Sequence, residues 1–410
     1  MHMPQLLLPA GDREQLDAAL LYGGDAVYLG GTSLNLRAGS RGFGPEELLV
    51  AVGDAHAKGV QVYFCLNVLP RQVDLPEIES TLERVAESGV DALIIADPGV
   101  FALARRTCPH IPVHLSTQAN TANAAAARFW ADMGATRINL ARELSLRDIR
   151  ALVQAVPDVE FECFVHGAMC LALSGRCLLS AWLNGRSANH GRCTHPCRYE
   201  YRGMALAVEE RTRPGEIIWE AVEDGPFHSS FWAPHDTSLV RYVKWFSRVG
   251  VHALKVEGRM KSGGYVAQVA DAYRTALDDI AMRRFRHHDY DFELLNTASR
   301  PLSTGFFLPH RRPAQALPHD SLRHPVVARI EEHTEHGGWR VSVRAPWLAK
   351  RRTEIILPGL RRPELLPGGF RLENHKGELV DRLHPGMGGV VYCDDANVNE
   401  VIIPGVYLRS

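Results

Sequence analysis

Eight short apolar runs, each followed by an amphipathic stretch, restrict the fold of this chain more than any other feature. The runs read QLLLPA at 5–10, AVYLG at 26–30, 61–67, 92–97, 113–118, 137–142, 160–166 and 253–257. Such runs are too short for buried helices and too continuously apolar for strands with one wet face. They suit parallel strands covered on both sides. Between them, apolar residues recur at helical spacing, as in 45–58, 75–88, 122–133, 146–156 and 265–282. Start signals stand where they should: Asp12 precedes the first helical pattern, and Pro98 follows the fourth strand. Eight βα units predict a closed (β/α)8, TIM-like barrel rather than an open doubly wound sheet. No glycine-rich dinucleotide fingerprint follows the first strand, which weakens the open-sheet alternative further.

At 410 residues the chain has room for that barrel and one further small domain. The barrel is expected over 1–285 and carries an insertion at 167–232, after the seventh strand. Residues 286–324, rich in Arg, His and Pro, read as a connector whose arginines offer phosphate contacts. From 325 to 410 the pattern changes to short alternating strands such as VVARIEE, WRVSVRA and GVVYCD, parted by Gly, Pro and Asn turns. That predicts a small all-β barrel domain. A net charge of −1 argues against a uniformly basic nucleic-acid binder but leaves room for a local basic face. No run of about 18 apolar residues is present to span a membrane, and a cytoplasmic protein is expected.

The insertion holds the most specific chemistry. Cys170, Cys177, Cys193 and Cys197 are spaced C-x6-C-x15-C-x3-C, with Gly175, Gly185 and Gly191 between them to let the chain turn. Reduced thiols favour metal over disulfide. Four thiolates serve tetrahedral zinc or an iron–sulfur cluster. Structural zinc usually brings two short knuckles, and only Cys193 and Cys197 form one. The wide gaps suit a cubane better, and four unrelated cysteines stay open as a third reading. Arg176, Arg186, Arg192, Arg198 and Arg202 interleave or follow the cysteines. They read either as a solvated basic loop or as charge compensation and phosphate contacts. Cys65, Cys108, Cys163 and Cys393 read as small core hydrophobes.

HGAMCLALSGRCLLS, RCTHPCRYEY, PQLLLPAG, GGDAVYLGG, the segment from His114 to Leu146 and LKVEGRMKS together resemble the collagenase-like U32 peptidase family. The likeness runs over most of 4–285 and is strongest to the branch that hydroxylates uridine C5 in tRNA with prephenate. It implies a [4Fe–4S] cluster on Cys170, Cys177, Cys193 and Cys197, tRNA as partner, prephenate as a small anionic cosubstrate, and an electron-transfer partner it does not name. Hydroxylation of a wobble uridine without molecular oxygen is the implied activity. Neighbouring branches imply alternatives: rRNA cytidine or ubiquinone hydroxylation, an accessory role in either, or proteolysis. The chain departs from the nearest branch in a reduced stretch between Arg202 and Trp232, and in APHD at 233–236.

In a (β/α)8 barrel, functional groups gather at the C-terminal strand ends. Here those ends offer Asn67, Asp97, Gln118 with Asn120 just beyond, Arg142, His166, Glu257 and Arg259. Asn67, Asp97, Gln118, Asn120 and Arg142 are the expected substrate contacts; His166, Glu257 and Arg259 are the candidate catalytic groups. Each alone has a plain structural reading, and His166 reads slightly better as a satisfied strand-end histidine than as a proton donor. Lys255, Glu257 and Arg259 share one face of the last strand, as an inward ion network or as a structural brace. Together they describe a polar mouth suited to an oxygen-rich anion. No H-E-x-x-H and no G-x-S-x-G occurs, although Cys163, Cys170 and His166 leave a Cys–His pair open for proteolysis.

Overall fold

The computed structural model describes residues 2–36, 40–170, 172–199, 235–308 and 324–410, with the backbone of four short strands between 207 and 229. Eight parallel strands close on themselves. They are β1 (Gln5–Pro9), β2 (Ala26–Gly30), β3 (Gln61–Leu66), β4 (Ala92–Ile95), β5 (Val113–Leu115), β6 (Ala135–Asn139) and β7 (Glu160–Gly167), with β13 (Ala253–Val256) as the eighth. β13 pairs with β1 on one side and β7 on the other, which closes the barrel. Between β7 and β13 lie the short strands β8 (Ala207–Glu209), β9 (Ile217–Glu220), β10 (Glu223–Gly225) and β11 (His228–Ser229), paired two by two. β10 and β11 pair antiparallel; the rest of 221–234 and Arg202 lie outside the described residues. β12 (Asp236–Ser238) then runs antiparallel to the end of β7, and β14 (Leu302–Ser303) pairs with β12 in parallel.

Helices α1 (Arg13–Leu21), α2 (Pro45–His56), α3 (Leu75–Ala86), α4 (Pro98–Thr107), α5 (Ala124–Asp132) and α6 (Leu146–Ala155) follow the first six strands. A one-and-a-half-turn helix, α7 (Leu179–Asn184), sits within the cysteine segment. α8 (Val243–Val249) and α9 (Gly263–Ala281) flank β13. Side chains alternate along the strands, so Leu6 and Leu8 pack outward under the helices while Leu7 joins Tyr28, Tyr63 and Ile94 in the lumen. The lower lumen is not purely apolar. Lys255 Nζ lies 2.7 Å from Glu162 Oε1, and Arg137 reaches Glu160 at 2.6 Å and Glu162 at 4.0 Å. Arg137 also donates to Gln5 and to the Tyr63 hydroxyl. Charges this deep persist because each has a counter-charge.

The stretch expected to be a plain connector carries a helix, α10 (His287–Thr297), packed on α9. Its basic composition hides this helix, because Arg284 and Arg286 both pair with Asp279, at 2.7 and 2.8 Å. Residues 309–323 lie outside the described residues. The C-terminal region is all-β as expected, but its main sheet is not a closed barrel. Eight antiparallel strands run from Glu364–Leu365 at one end to Leu379–Val380 at the other, with no pairing between those ends among the described residues. This half-barrel docks on the outer helices. Arg409, 1% exposed, bonds Glu293 of α10, and Arg362 bridges Asp271 of α9 and Glu293. Tyr22 of α1 donates to the Ile356 carbonyl.

Candidate functional site at the barrel mouth

A cavity of about 360 Å³ opens at the C-terminal ends of the strands. Its barrel side is lined by Asn67, Gln118, Asn139, Arg142, Lys255, Glu257 and Arg259, and its outer side by Cys170, Cys177, Cys193 and Cys197. Two buried guanidinium groups dominate the barrel side. Arg142 lies over the Phe164 ring at 4.0 Å, donates to the Ala168 carbonyl and reaches Glu257 Oε2 at 3.3 Å. Arg259, 4% exposed, stands 5.6 Å from the Tyr28 ring centre, and its Nη1 has no hydrogen-bond partner. It fits there because residue 30 is glycine: a Cβ on Gly30 would sit 2.8 Å from Arg259 Nη1. Among the described residues Asn67 Oδ1, Gln118 Oε1, Asn139 Oδ1 and Arg142 Nε likewise have no partner. Buried polar groups are nearly always paired, so this many orphans facing one cavity mark a place prepared for a polar ligand.

The cysteine segment is stitched to the strand ends rather than hanging over them. Ser174 donates its backbone N–H and its hydroxyl to Glu143, at 2.6 and 2.5 Å, and its oxygen receives the Arg142 N–H. Asn189 accepts from the Cys177 N–H and gives its carbonyl to the Leu69 N–H, tying the segment to the loop after β3. Gly191, at φ +77°, lies against the chain at residue 35, where any Cβ would come 2.0 Å from the Asn35 oxygen. Ser180 and Asn184 of α7 bond Thr194 and so hold Cys193 and Cys197 in place. The His195 N–H points at Cys193 Sγ, 3.4 Å away. Burial pushes the Cys197 thiol up, Arg198 draws it back, and the three other thiols push it up again.

The four thiols line one side of the same cavity. Among the described residues no three His, Cys, Asp or Glu side chains converge tightly enough for a single metal ion. Four soft donors lining one side of a cavity are the donor set that an iron–sulfur group or a tetrahedral ion takes. Arg198 beside Cys197 suits the negative charge such a group carries.

Several expected site residues have other work. Asp97 does not line the cavity; it caps α4, accepting from the Gly99 and Val100 N–H groups. An Asp before Pro at a strand-to-helix junction is a cap signal, and here the cap wins. Asn120 is left-handed at φ +56° and donates to the Leu173 carbonyl, so it anchors the cysteine segment and does not line the cavity. His166 turns away from the cavity, into the tyrosines of α9, with ring centres of Tyr265 and Tyr273 at 6.1 and 5.6 Å. The pairing of β13 with β7 shifts register between Lys255 and Val256, opposite Phe164 and His166, and this bulge re-aims the histidine. Burial and nearby Lys261 pull its pKa down to about 3, so it stays neutral and is no proton donor near pH 7. Cys163 is buried and its thiol pushed up, so it forms no activated pair with His166. Asn67, Gln118, Arg142, Glu257 and Arg259 do meet at the mouth. Asn139 also lines it; the apolar run of 137–142 hides it, because β6 ends at Asn139, three residues before that run does.

The profile of peptidase family U32 matches residues 11–316. The tRNA hydroxylation protein P of Escherichia coli is 38% identical over 349 residues, covering 76% of this chain and 76% of that protein. Its namesake in Haemophilus influenzae is 36% identical, covering 98% of this chain and 95% of that protein. That of Helicobacter pylori is 39% identical over 80% of this chain and 76% of its own length.

Proposed function

From the premise that this chain belongs to peptidase family U32, we propose that it is a tRNA-modifying enzyme that hydroxylates C5 of a wobble uridine without molecular oxygen. In this reading prephenate is the small anionic cosubstrate, and Cys170, Cys177, Cys193 and Cys197 hold a [4Fe–4S] cluster. The relatives named as tRNA hydroxylation proteins support the reaction class. The observation that carries the reading is the shared cavity: four thiols on one side, two buried guanidinium groups and orphaned amides on the other.

When bound, the cluster supplies one-electron transfer beside that cavity. The chain's own residues bind and orient. Arg259, with no ion pair among the described residues, offers its free fork to a carboxylate. Arg142 offers a second positive edge, held at its angle by Glu257 and Phe164. Asn67, Gln118 and Asn139 present amide groups that match hydroxyl and carbonyl oxygens. Lys255 is already committed to Glu162, so its part is to hold the floor. Proteolysis gains nothing from the geometry, since His166 and Cys163 are both buried and unactivated.

The test is direct. Anaerobically purified, iron-loaded protein is incubated with unmodified tRNA transcript and prephenate, and the digested nucleosides are analysed by mass. A uridine heavier by one oxygen, dependent on prephenate, is expected. Unchanged nucleosides from iron-replete protein would remove the reading.

A further inference from the structure

Helix α7 has two faces with opposite fates. Ser180 and Asn184, one turn apart, both bond Thr194, and Ser180 is fully buried. Leu178 and Trp182, also one turn apart, share the opposite side and are 76% and 87% exposed. A tryptophan this exposed contributes little to folding, since the benefit of its large apolar surface comes only with burial. Its segment walls the cavity: Cys177 and Leu179, flanking Leu178, both line it. Arg176, Arg186 and Arg192 are exposed on the same segment and have no ion pair among the described residues. Between residues 167 and 199 there are four arginines and no aspartate or glutamate.

We propose that the Trp182 face of the cysteine segment is an RNA-docking surface, on which a nucleobase of a single-stranded loop stacks against the indole while Arg176, Arg186 and Arg192 meet phosphates. This rests on the tRNA reading above and adds where, and by which contacts, the RNA is held. Exposed aromatics among unpaired arginines are what single-stranded nucleic acid selects, since every base has a face to stack and every linkage a charge. A base held at Trp182 lies beside the cavity, so its loop neighbour is placed to enter it.

The test uses full-length, iron-loaded protein and a transcribed anticodon stem-loop with an unmodified wobble uridine, its binding followed by fluorescence anisotropy at several salt concentrations. Trp182→Ala should weaken binding on the order of ten-fold or more, with the salt slope kept, and Trp182→Phe should recover most of it. The triple change of Arg176, Arg186 and Arg192 to Gln should instead flatten the salt slope, by up to about three phosphate contacts. A blunt-ended duplex of the stem alone should bind with no dependence on Trp182. Equal stem-loop affinity for parent and Trp182→Ala, both iron-replete, overturns the inference and leaves the tRNA reading standing. Parent protein that binds no stem-loop overturns both. If Trp182→Ala loses iron, the arginine variant decides: a parent-like salt slope in that variant overturns the inference.

Discussion

Arg142 Nη2 stands 3.3 Å from Glu257 Oε2, joining the chain that leaves β6 to the chain that leaves β13 across the barrel mouth. Both side chains are about nine-tenths buried, so neither charge is solvated well alone. Replacing Arg142 with Leu should destabilise the barrel by roughly 3 kcal/mol, because a buried carboxylate is left behind. Glu257→Gln should be milder, and the double change Arg142→Leu with Glu257→Leu should be more stable than Arg142→Leu alone. Urea denaturation of the three variants checks the order; additive losses would show that the two groups are not coupled.

Arg259 behaves differently because it has no such partner among the described residues. Removing a buried, unpaired guanidinium relieves a desolvated charge, so Arg259→Ala should leave stability unchanged or slightly raised. Its affinity for a small dicarboxylate should fall on the order of 100-fold, and Arg259→Lys should restore little, since the forked geometry is lost. Calorimetric titration with prephenate measures the first effect and thermal melting the second. A marked loss of stability without loss of affinity would make Arg259 a structural brace.

For the four cysteines the expected signature is iron. Cys170→Ala, Cys177→Ala, Cys193→Ala and Cys197→Ala should each fall well below the roughly four irons per chain of a full cluster. Cys108→Ala and Cys393→Ala should keep their iron and lose about 1–2 kcal/mol of stability or less. Gly191→Ala separates seating from ligation: all four thiols remain, but the added methyl meets the Asn35 oxygen. It should lose iron while the barrel stays folded by circular dichroism. Iron-replete Gly191→Ala protein would mean that the segment can shift without losing its ligand geometry.

His166 sets a stability limb in acid. Its folded pKa of about 3 lies below the ordinary value of 6.5, so the unfolded chain binds the proton more readily. The stability it contributes is complete above about pH 6.5 and is lost progressively as pH falls toward 3, by a few kcal/mol in all. Buried His114, likewise pulled down by burial, adds to the same limb. His166→Gln should therefore flatten, though not abolish, the fall in urea midpoint between pH 7 and pH 4.5. An identical slope in parent and variant would place the titration elsewhere.

How much of this was legible in the chain depends on what each feature needed. The eight strands could be read because each is an uninterrupted apolar run, and the cysteines because their spacing is a local property. The convergence of Asn67, Gln118, Arg142, Glu257 and Arg259 followed from one rule about strand ends. Asp97 and Asn120 were misread because a polar residue at a strand end can face the mouth or serve the next turn, and only hydrogen bonds decide. His166 was lost to a register shift between two strands nearly a hundred residues apart, which no periodicity records. α10 was hidden because its arginine neighbours look solvated until Asp279 is seen beneath them.

The Lys255–Glu162–Arg137 network carries a kinetic consequence. It fills the lumen below the cavity with side chains 3%, 2% and 7% exposed, so the cavity has a closed floor among the described residues. Whatever binds deepest must arrive first and depart last. A small anion seated at Arg259 would precede any macromolecule resting on the rim, and its spent form would stay trapped until the rim is clear. Turnover would then show compulsory order, with the macromolecular product competing against its own substrate and holding the small product inside. Inhibition patterns distinguish this from random addition.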